Sequence, residues 1–303
     1  MNRFVVTLAL ALLALPSVLN AQPKPDIDPA VWVVKDKDTT IYFFGTFHLL
    51  DGKSEWFNDE VKTAFDAAQE VDLEVVMPDN PADLQPLIMK YALDTSGKKL
   101  SDRLSPEAKK TLDAQIAAAG LPPGALEMFK PWFAAVTLTS LQAQKLGLNG
   151  DNGPEAVLTK AARAAGKPVR QLESVEQQLA MLDALPEAEQ VKFLEETLKE
   201  SEALDQELPK LIKAWSDGDS VKLAALLNEG LGDDPLLYKA LLSDRNARWA
   251  DWTVARLAKP GTVLVAVGAG HLAGKDSVLD TLAKRGIKSE RFKGRNGSVQ
   301  ASR

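Results

Sequence analysis

Apolar residues in the first part of the chain fall into short runs of the length of a β-strand. The runs at 31–34 and 41–44 flank a polar turn, residues 35–38, and this pattern predicts a β-hairpin. A third apolar run at 71–76 stops before Pro78, which has no backbone N–H to donate within a sheet. We therefore expect three strands in this part of the chain.

Two further runs near the other end of the sequence also have strand character. Residues 262–267 form a continuous and mostly β-branched stretch, which is typical of a strand that is buried on both faces. Residues 287–292 alternate and predict an edge strand. Strand-forming segments are thus concentrated towards the two ends of the chain.

The middle of the chain, residues 81–258, follows helical periodicity instead. Proline and glycine clusters at 121–124 and 149–154 divide this region into separate helices. Residues 168–172 are the one plausible strand within it. Ser174 is followed three residues later by a glutamine, and this capping-box spacing predicts the start of a helix.

These patterns together predict an α/β fold with a central mixed β-sheet built from both chain ends. The helical region 81–258 is then a large insertion between the two parts of the sheet. No linker rich in glycine, serine or proline divides the rest of the chain, so we expect residues 22–303 to form a single domain.

The first 21 residues have the pattern of a secretory signal peptide. Arg3 precedes an apolar run at 4–19, and Ala21 supplies the small residue expected at a cleavage site. A membrane anchor is the rival interpretation, but Pro16 and the polar stretch after Ala21 favour cleavage. We expect a periplasmic or secreted protein with no stable membrane insertion after the signal is removed.

The composition narrows the possible chemistry. The chain of 303 residues contains no cysteine and two histidines, which excludes disulfides, thiolate metal sites and a cysteine nucleophile. Its 36 basic and 42 acidic residues give a net charge of −6, which argues against a nucleic-acid partner. Any mechanism that needs an imidazole must use His48 or His271.

Both histidines occupy the same place in a repeated pattern. Residues 41–76 run strand, Gly-x-x-His48, helix, strand, and residues 262–292 run strand, Gly-x-x-His271, helix, strand. In α/β sheets, ligands bind at the carboxyl ends of the strands. We therefore predict that two β-Gly-x-x-His-α-β units bring both imidazoles to one edge of the sheet.

Glu74 is a third candidate, because it lies near the end of the strand that follows His48. Two neutral imidazoles and a carboxylate form a metal site with open positions for water and substrate. Such a site lowers the pKa of bound water to about 7 and polarises a carbonyl or phosphoryl oxygen. The alternative for either histidine alone is a structural role at a turn, and for Glu74 a solvated position at a strand end.

A different interpretation applies to residues 268–273, which follow a strand and match the Gly-x-Gly-x-x-Gly/Ala dinucleotide pattern. Glu290 lies close to the position expected for an acidic residue on the ribose. Too few residues follow Glu290 to complete a nucleotide domain, and this interpretation leaves His48 without a role. We therefore expect no nucleotide cofactor.

Several short motifs are distributed over nearly the whole chain after the signal, in a characteristic order and spacing. They are Gly45-Thr46-Phe47-His48, Leu73-Glu74, Lys130-Pro131-Trp132, Leu172-Glu173-Ser174 with Gln178, Trp215 with Gly218-Asp219, Arg245-Asn246 with Trp249, and Gly268-Ala269-Gly270-His271. In this combination the sequence resembles the TraB/GumN family, which is related to the Tiki metalloproteases.

The resemblance implies a fold related to erythromycin esterase-like and ChaN-like proteins. For the Tiki branch it also implies a peptidase that depends on manganese or cobalt. Carried onto this chain, His48, Glu74 and His271 would be metal ligands or acid/base groups. Arg245 and Asn246 would lie near the rim, where Arg245 would hold a substrate carboxylate or a developing oxyanion. The alternative for Arg245 is an ion pair on a surface helix.

Two functions from different classes follow as hypotheses. The first is an exported metal-dependent hydrolase that cleaves peptide or ester bonds with metal-activated water. Because thiols are absent, manganese, cobalt or zinc on oxygen and nitrogen ligands is the expected cofactor. The second is a non-catalytic periplasmic protein that binds a peptide, haem or glycan fragment in the same cleft.

Overall fold

The computed structural model describes residues 24–231 and 234–293 of the chain. The predicted signal peptide, residues 1–21, therefore lies outside the described residues. Within the described ranges, no helix combines the length and the apolar character needed to cross a membrane.

A six-stranded mixed sheet forms the centre of the fold. Its strands are β1 (Val31–Lys35), β2 (Thr39–Thr46), β3 (Glu70–Leu73), β4 (Val169–Gln171), β5 (Gly261–Gly268) and β6 (Glu290–Arg291). Their order across the sheet is β4-β3-β5-β2-β1-β6. The strands β4, β3, β5 and β2 are parallel to one another, whereas β1 runs antiparallel to both of its neighbours. The prediction of an α/β fold with a mixed sheet is confirmed.

Helices surround this sheet. They are α1 (Asp59–Ala67), α2 (Gln85–Tyr91), α3 (Pro106–Ala118), α4 (Pro131–Lys145), α5 (Pro154–Ala164), α6 (Val175–Asp183), α7 (Glu187–Ser216), α8 (Ser220–Leu231), α9 (Pro235–Tyr238), α10 (Asp244–Leu257) and α11 (Val278–Lys284). A π-helical turn, Lys239–Ser243, joins α9 to α10. In the described part of the chain, α2 to α10 all lie between β3 and β5, and β4 is the one strand among them.

Local chemistry explains where several of these elements begin. The Asp36 carboxylate accepts the backbone N–H groups of Asp38 and Thr39, which closes the predicted hairpin between β1 and β2. Ser174 and Gln177 form the capping box at the start of α6, with both reciprocal hydrogen bonds present.

Two strands are shorter than the sequence pattern predicts. The apolar run 71–76 continues beyond β3, but the N–H of Val76 bonds to the side chain of Gln171 rather than to a strand backbone, so the ladder ends. At the other end of the chain, the N–H of Ile287 bonds to the carbonyl of Leu282 and closes the end of α11. Only β6 is therefore left of the predicted strand at 287–292.

Strand β5 lies in the middle of the sheet and is buried on both faces. Leu264 and Ala266 face the core formed with α1, α5 and the end of α7. Val263, Val265 and Val267 face the opposite core, which α10 and α11 cover. This double burial explains why the strand reads as an uninterrupted apolar run.

The helical region has a hydrophobic core of its own. Leu112 of α3, Leu138 of α4, and Leu194 and Leu198 of α7 are buried together there. In contrast, α2 and α6 contain no fully buried residue, although both carry apolar side chains. These two helices therefore lie outside both faces of the sheet and outside the helical core.

Trp215, near the end of α7, connects the helical region to the sheet. Its indole N–H donates to the carbonyl of Gly45 at 2.7 Å. Its ring centroid lies 6.3 Å from that of Phe47, in the segment that leads to His48. This contact fixes the end of β2 against α7.

Replacing Trp215 tests the contribution of this hydrogen bond. Trp215→Phe keeps an aromatic ring but leaves the buried Gly45 carbonyl without its donor, so we expect a loss of about 1–3 kcal/mol beyond the loss of packing. Trp132→Phe is the matched control: Trp132 is equally buried, but its indole N–H has no partner among the described residues. Urea denaturation should show a larger loss for Trp215→Phe, and equal losses would contradict this role.

Candidate functional site

The two Gly-x-x-His motifs follow neighbouring parallel strands. In the register of β2 and β5, Thr46 lies opposite Gly268, so His48 and His271 leave the sheet at the same carboxyl edge. Glu74 follows β3, on the other side of β5. This edge is the place where α/β sheets bind ligands.

Glu74 is buried and accepts three hydrogen bonds. Its Oε2 accepts the backbone N–H of Gly268 at 3.0 Å, and its Oε1 accepts Nε2 of Gln178 at 3.0 Å and Nη2 of Arg245 at 2.5 Å. Burial favours the neutral acid, but the charges of His271 (protonated only at such low pH), Arg245 and His48, together with the Gly268 N–H, outweigh it and lower the pKa of Glu74 to about 2. The carboxylate is therefore ionised at neutral pH.

His271 lies in the protein interior between two residues of α10. Its Nδ1 is 2.7 Å from Oδ1 of Asn246, and its Nε2 is 3.0 Å from Nη1 of Arg245. Because arginine can only donate, Nε2 accepts and Nδ1 carries the proton. Asn246 is itself oriented by donating Nδ2 to the carbonyl of Asp276. Burial, aided by the charge of Arg245, lowers the pKa of His271 to about 3, which keeps the ring neutral.

Arg245 is a buried cation that joins the other site residues rather than a surface ion pair. Its Nε donates to Glu173 at 2.9 Å, and its Nη1 donates to the carbonyl of Leu241 at 3.0 Å as well as to His271. With the bond to Glu74, four of its five N–H groups have partners. One Nη2 N–H is left without a partner among the described residues.

Glu173 holds the arginine side of the site in place. The sequence leaves open whether this residue faces a ligand or supports the fold. In the structure its buried carboxylate binds Arg245 and also Arg248, the latter at 3.0 Å. Its backbone N–H donates to the carbonyl of Glu74, so the ends of β3 and β4 leave the sheet side by side.

His48 differs from His271 because its side chain is 58% exposed. Its Nδ1 lies 2.6 Å from Oε1 of Glu155 in the first turn of α5, and the hydroxyl of Thr46 donates to the same oxygen at 2.5 Å. Partial burial opposes the charged ring, but the hydrogen bond and the charge of Glu155 raise the pKa of His48 to about 9.

Glu155 also belongs to the site, although it lies outside the Gly-x-x-His motifs. Its signal in the sequence is the segment Gly153-Pro154-Glu155, in which proline starts a helix and the acid follows in the first turn. A Cβ on Gly153 would lie 2.2 Å from the carbonyl oxygen of His48, so only glycine permits this close approach. The approach brings Glu155 to the imidazole.

The three predicted metal ligands face a common region but do not form a closed cage. Nε2 of His271 is 3.9 Å from Oε2 of Glu74. Nε2 of His48 and Oε2 of Glu74 flank Gly268, and a Cβ built on that glycine would lie 3.1 Å from the nitrogen and 3.4 Å from the oxygen. Arg245 donates hydrogen bonds to both His271 and Glu74.

A separate cluster of three carboxylates occurs near the start of the described chain. Asp26, Asp28 and Asp59 offer oxygen atoms that all lie within 4.8 Å of one another. All three residues are exposed, and Asn58 already donates to Asp26. Exposed acidic clusters are common without an ion, so this group does not indicate a metal site.

The dinucleotide interpretation of residues 268–273 does not fit the geometry. The glycines lead into a short 3-10 turn, Ala269–His271, and α11 begins only at Val278. A phosphate-binding glycine turn leads directly into the helix whose N-terminus holds the phosphate. Glu290 lies in β6, which β2 and β1 separate from β5.

An NMR titration tests the pairing of His48 with Glu155, because the two histidines of the chain give two resolvable sets of ring signals. We expect the His48 ring to titrate near pH 9, and Glu155→Gln to return the pKa towards 6.5, since a neutral amide stabilises the imidazolium less. The pair then stabilises the fold fully below pH 6.5, and this contribution is lost as the pH rises through about 9.

Glu107→Gln is the matched control for this titration. Glu107 also follows a proline in the first turn of a helix, α3, but it is exposed. The titration of His48 should be unchanged in this variant. An unchanged pKa in Glu155→Gln would contradict the pairing.

Comparisons with known proteins identify relatives of this chain. The profile of the TraB/PrgY/gumN family matches residues 30–291. A protein of Escherichia coli (strain K12) named "Uncharacterized protein YbaP" is 32% identical over 179 residues, which cover 59% of this chain and 66% of that protein. A Treponema pallidum (strain Nichols) protein named "Uncharacterized protein" is 23% identical over 286 residues, 90% of this chain and 84% of its own length. No solved structure matches. On the extent of the family match, this chain belongs to the TraB/PrgY/gumN family.

Proposed function

We propose that this protein is an exported metal-dependent hydrolase that cleaves peptide or ester bonds with water activated by a divalent cation. The observation that carries the proposal is that His48, Glu74 and His271 all follow strands at one carboxyl edge of the sheet, with Nε2 of His271 3.9 Å from Oε2 of Glu74. Each of these side chains is held by a further polar partner, and catalytic groups need this kind of fixed geometry.

The donor set supports a cation between His48 and Glu74. Glu155 binds Nδ1 of His48, which leaves Nε2 as the ligating atom, and metal-binding histidines commonly have such a carboxylate partner. Oε2 of the ionised Glu74 lies against the same glycine, Gly268. Manganese, cobalt or zinc suits these nitrogen and oxygen ligands. The cation would displace a proton from His48, so we expect its affinity to rise with pH.

His271 is the third proposed ligand, and it requires a rearrangement. Its Nε2 now accepts a hydrogen bond from Arg245, whose positive charge also opposes a cation next to Glu74. A substrate carboxylate or a developing oxyanion would attract Arg245 and uncover Nε2. Asn246 would keep the ring oriented meanwhile, because it binds Nδ1.

A divalent cation held by His48 and Glu74 would supply water with a pKa near 7 and would polarise the scissile carbonyl. The side chains of the protein do the remaining work. Glu155 and Asn246 hold the two imidazoles, and the open Nη2 N–H of Arg245 donates to the substrate oxygen where negative charge develops. Glu173 binds Nε of Arg245, so the guanidinium would stay attached at that end while its Nη groups turn from His271 towards the substrate.

We also propose that the two ends of the chain are copies of one β-Gly-x-x-His-α-β unit. The order β2, α1, β3 in one and β5, α11, β6 in the other supports this view. The unit places one histidine after each first strand, which would explain why both histidines of the chain serve one site.

Export to the periplasm or the medium is proposed from the signal pattern of residues 1–21. The proposed substrate is a peptide or another small molecule, with no nucleic-acid partner. N-terminal sequencing of the protein recovered from the producing cells would locate a cleavage point, which we expect after Ala21. Recovery of the chain with residues 1–21 attached, in the membrane fraction, would contradict this part of the proposal.

A non-catalytic binding protein for a peptide, haem or glycan fragment is the second candidate. The observation that favours it is that the buried polar groups of the site already have hydrogen-bond partners within the protein. Glu74 already binds Arg245, Gln178 and Gly268, and His271 binds Arg245 and Asn246. Under this alternative, ligand binding would leave the ligand chemically unchanged.

Metal binding distinguishes the two candidates. Calorimetric titration of the chelator-treated protein with Mn²⁺, Co²⁺ or Zn²⁺ should show one ion per chain. We expect His48→Ala to weaken this binding at least tenfold, because it removes a ligand. Gly268→Ala should also weaken it, since the new Cβ would stand between His48 and Glu74 while φ at this position, −47°, is one that alanine adopts readily.

Gly150→Ala is the control, because its Cβ would meet only a leucine methyl group at 3.9 Å. Mass spectrometry of a peptide mixture incubated with the metal-loaded protein then tests turnover. Negligible binding of all three ions to the wild type would contradict metal dependence. Metal binding without any cleaved peptide or ester would favour the binding protein.

A further inference from the structure

The helices α2 and α6 form a layer of half-exposed apolar side chains next to the site. Neither helix contains a fully buried residue, although Leu87 and Ile88 lie in α2 and Val175 and Leu179 lie in α6. The two helices are joined at the surface, where Lys90 and Tyr91 both bond to Oε1 of Glu176. Apolar surface that the fold does not bury often marks a ligand site.

A groove of about 410 Å³ lies between these helices and the segment that follows Glu74. Its size is within the range of pockets that bind small ligands or single side chains. Its apolar lining consists of Val76, Met77, Pro78, Leu84, Leu87 and Val175. Met77 is 54% exposed, and its flexible side chain can adapt to different apolar groups.

The groove is lined by chain segments that lead directly from residues of the candidate site. Its wall at Val76 follows Glu74 by two positions, and the N–H of Val76 bonds to Gln171 at the end of β4. The chain after β4 runs beside the chain after β3, because the Glu173 N–H donates to the Glu74 carbonyl. Gln178 of α6 donates directly to the Glu74 carboxylate at 3.0 Å. The segment after β3 and helix α6 therefore each connect the groove to the site.

The charges around the groove are mainly negative. Asp79, Asp83 and Glu176 are among its lining residues, and Arg163 is the lining cation. Arg163 bonds to Asp79 at 2.7 Å, so it is already neutralised. Glu176 is paired with Lys90 in the same way, so Asp83 is the lining carboxylate without an ion pair among the described residues. Its negative charge disfavours haem propionates and acidic peptides in this groove. A neutral glycan has no large apolar group to fill the lining.

We propose that this groove binds one large apolar side chain of an extended peptide, such as leucine or phenylalanine, next to the bond presented to the site. The proposal rests on the proposed hydrolase function and names its substrate class. Burial of one such side chain contributes roughly 1.5–3 kcal/mol, which corresponds to a preference of about ten- to a hundredfold.

Fluorescence anisotropy tests the preference without turnover. The probes are two fluorescein-labelled octapeptides of glycine, serine and alanine, one with a central leucine and one with a central aspartate. With chelator-treated wild-type protein, we expect the leucine peptide to bind at least tenfold more tightly. Met77→Asp should weaken its binding at least fivefold. Val221→Asp is the matched control, because Val221 is 81% exposed on α8 and should leave the affinity unchanged.

A variant that gains binding shows that changes in affinity do not result from misfolding. Asp83→Lys should increase the affinity for the aspartate peptide at least threefold, which a misfolded protein would not do. Equal affinity of the wild type for the two peptides would overturn the proposal, as would an unchanged affinity in Met77→Asp. Binding of haemin or maltohexaose, but of neither peptide, would assign the groove to another ligand and also overturn it.

Adding Mn²⁺ to the same mixtures separates this proposal from the hydrolase proposal. Preferential binding of the leucine peptide without cleavage would support the groove and contradict the hydrolase. Cleavage of both peptides at equal rates, unaffected by Met77→Asp, would support the hydrolase and overturn the groove.

Discussion

The buried guanidinium of Arg245 is the group on which the geometry of the site depends. A buried cation is costly unless carboxylates and hydrogen bonds surround it, and removing one partner of such a group strongly destabilises the rest. Arg245 therefore requires Glu74 after β3, Glu173 after β4 and the lone pair of His271 after β5 to remain together. Three strand ends and α10 are fixed to one another by a single side chain, and the shape of the sheet edge follows from that requirement.

The positive charge of Arg245 also opposes the binding of a metal ion at the proposed site. Arg245 and a divalent cation would share Glu74, and each opposes the other at the short distances seen here. Under the proposed function, binding of the ion and binding of a substrate anion would be coupled, because an anion that attracts the guanidinium would also reduce its repulsion of the metal. By linkage, the metal would favour the anion as much as the anion favours the metal.

The sequence predicts those parts of the fold and site that depend on local pattern. The hairpin, the buried strand β5 and the helix start at Ser174 follow from periodicity and capping chemistry. The partner of His48 does not, because Glu155 lies 107 positions away on a helix whose packing no local pattern encodes. The burial of Arg245 is equally hidden: Arg248, one turn further along α10, is half exposed, and the sequence does not say which of the two faces the sheet.

The environments of the two histidines diverge although their motifs are alike, and the surrounding helices explain the difference. Trp249 of α10 covers His271, with ring centroids 4.4 Å apart, and excludes water from it. His48 contacts the start of α5 and lies against Gly268, but its side chain remains 58% exposed to solvent. In the proposed site, a molecule from solution would therefore reach His48 before it reaches the buried His271 and Arg245. The two Gly-x-x-His motifs therefore hold one exposed and one buried histidine, because α10 covers only His271.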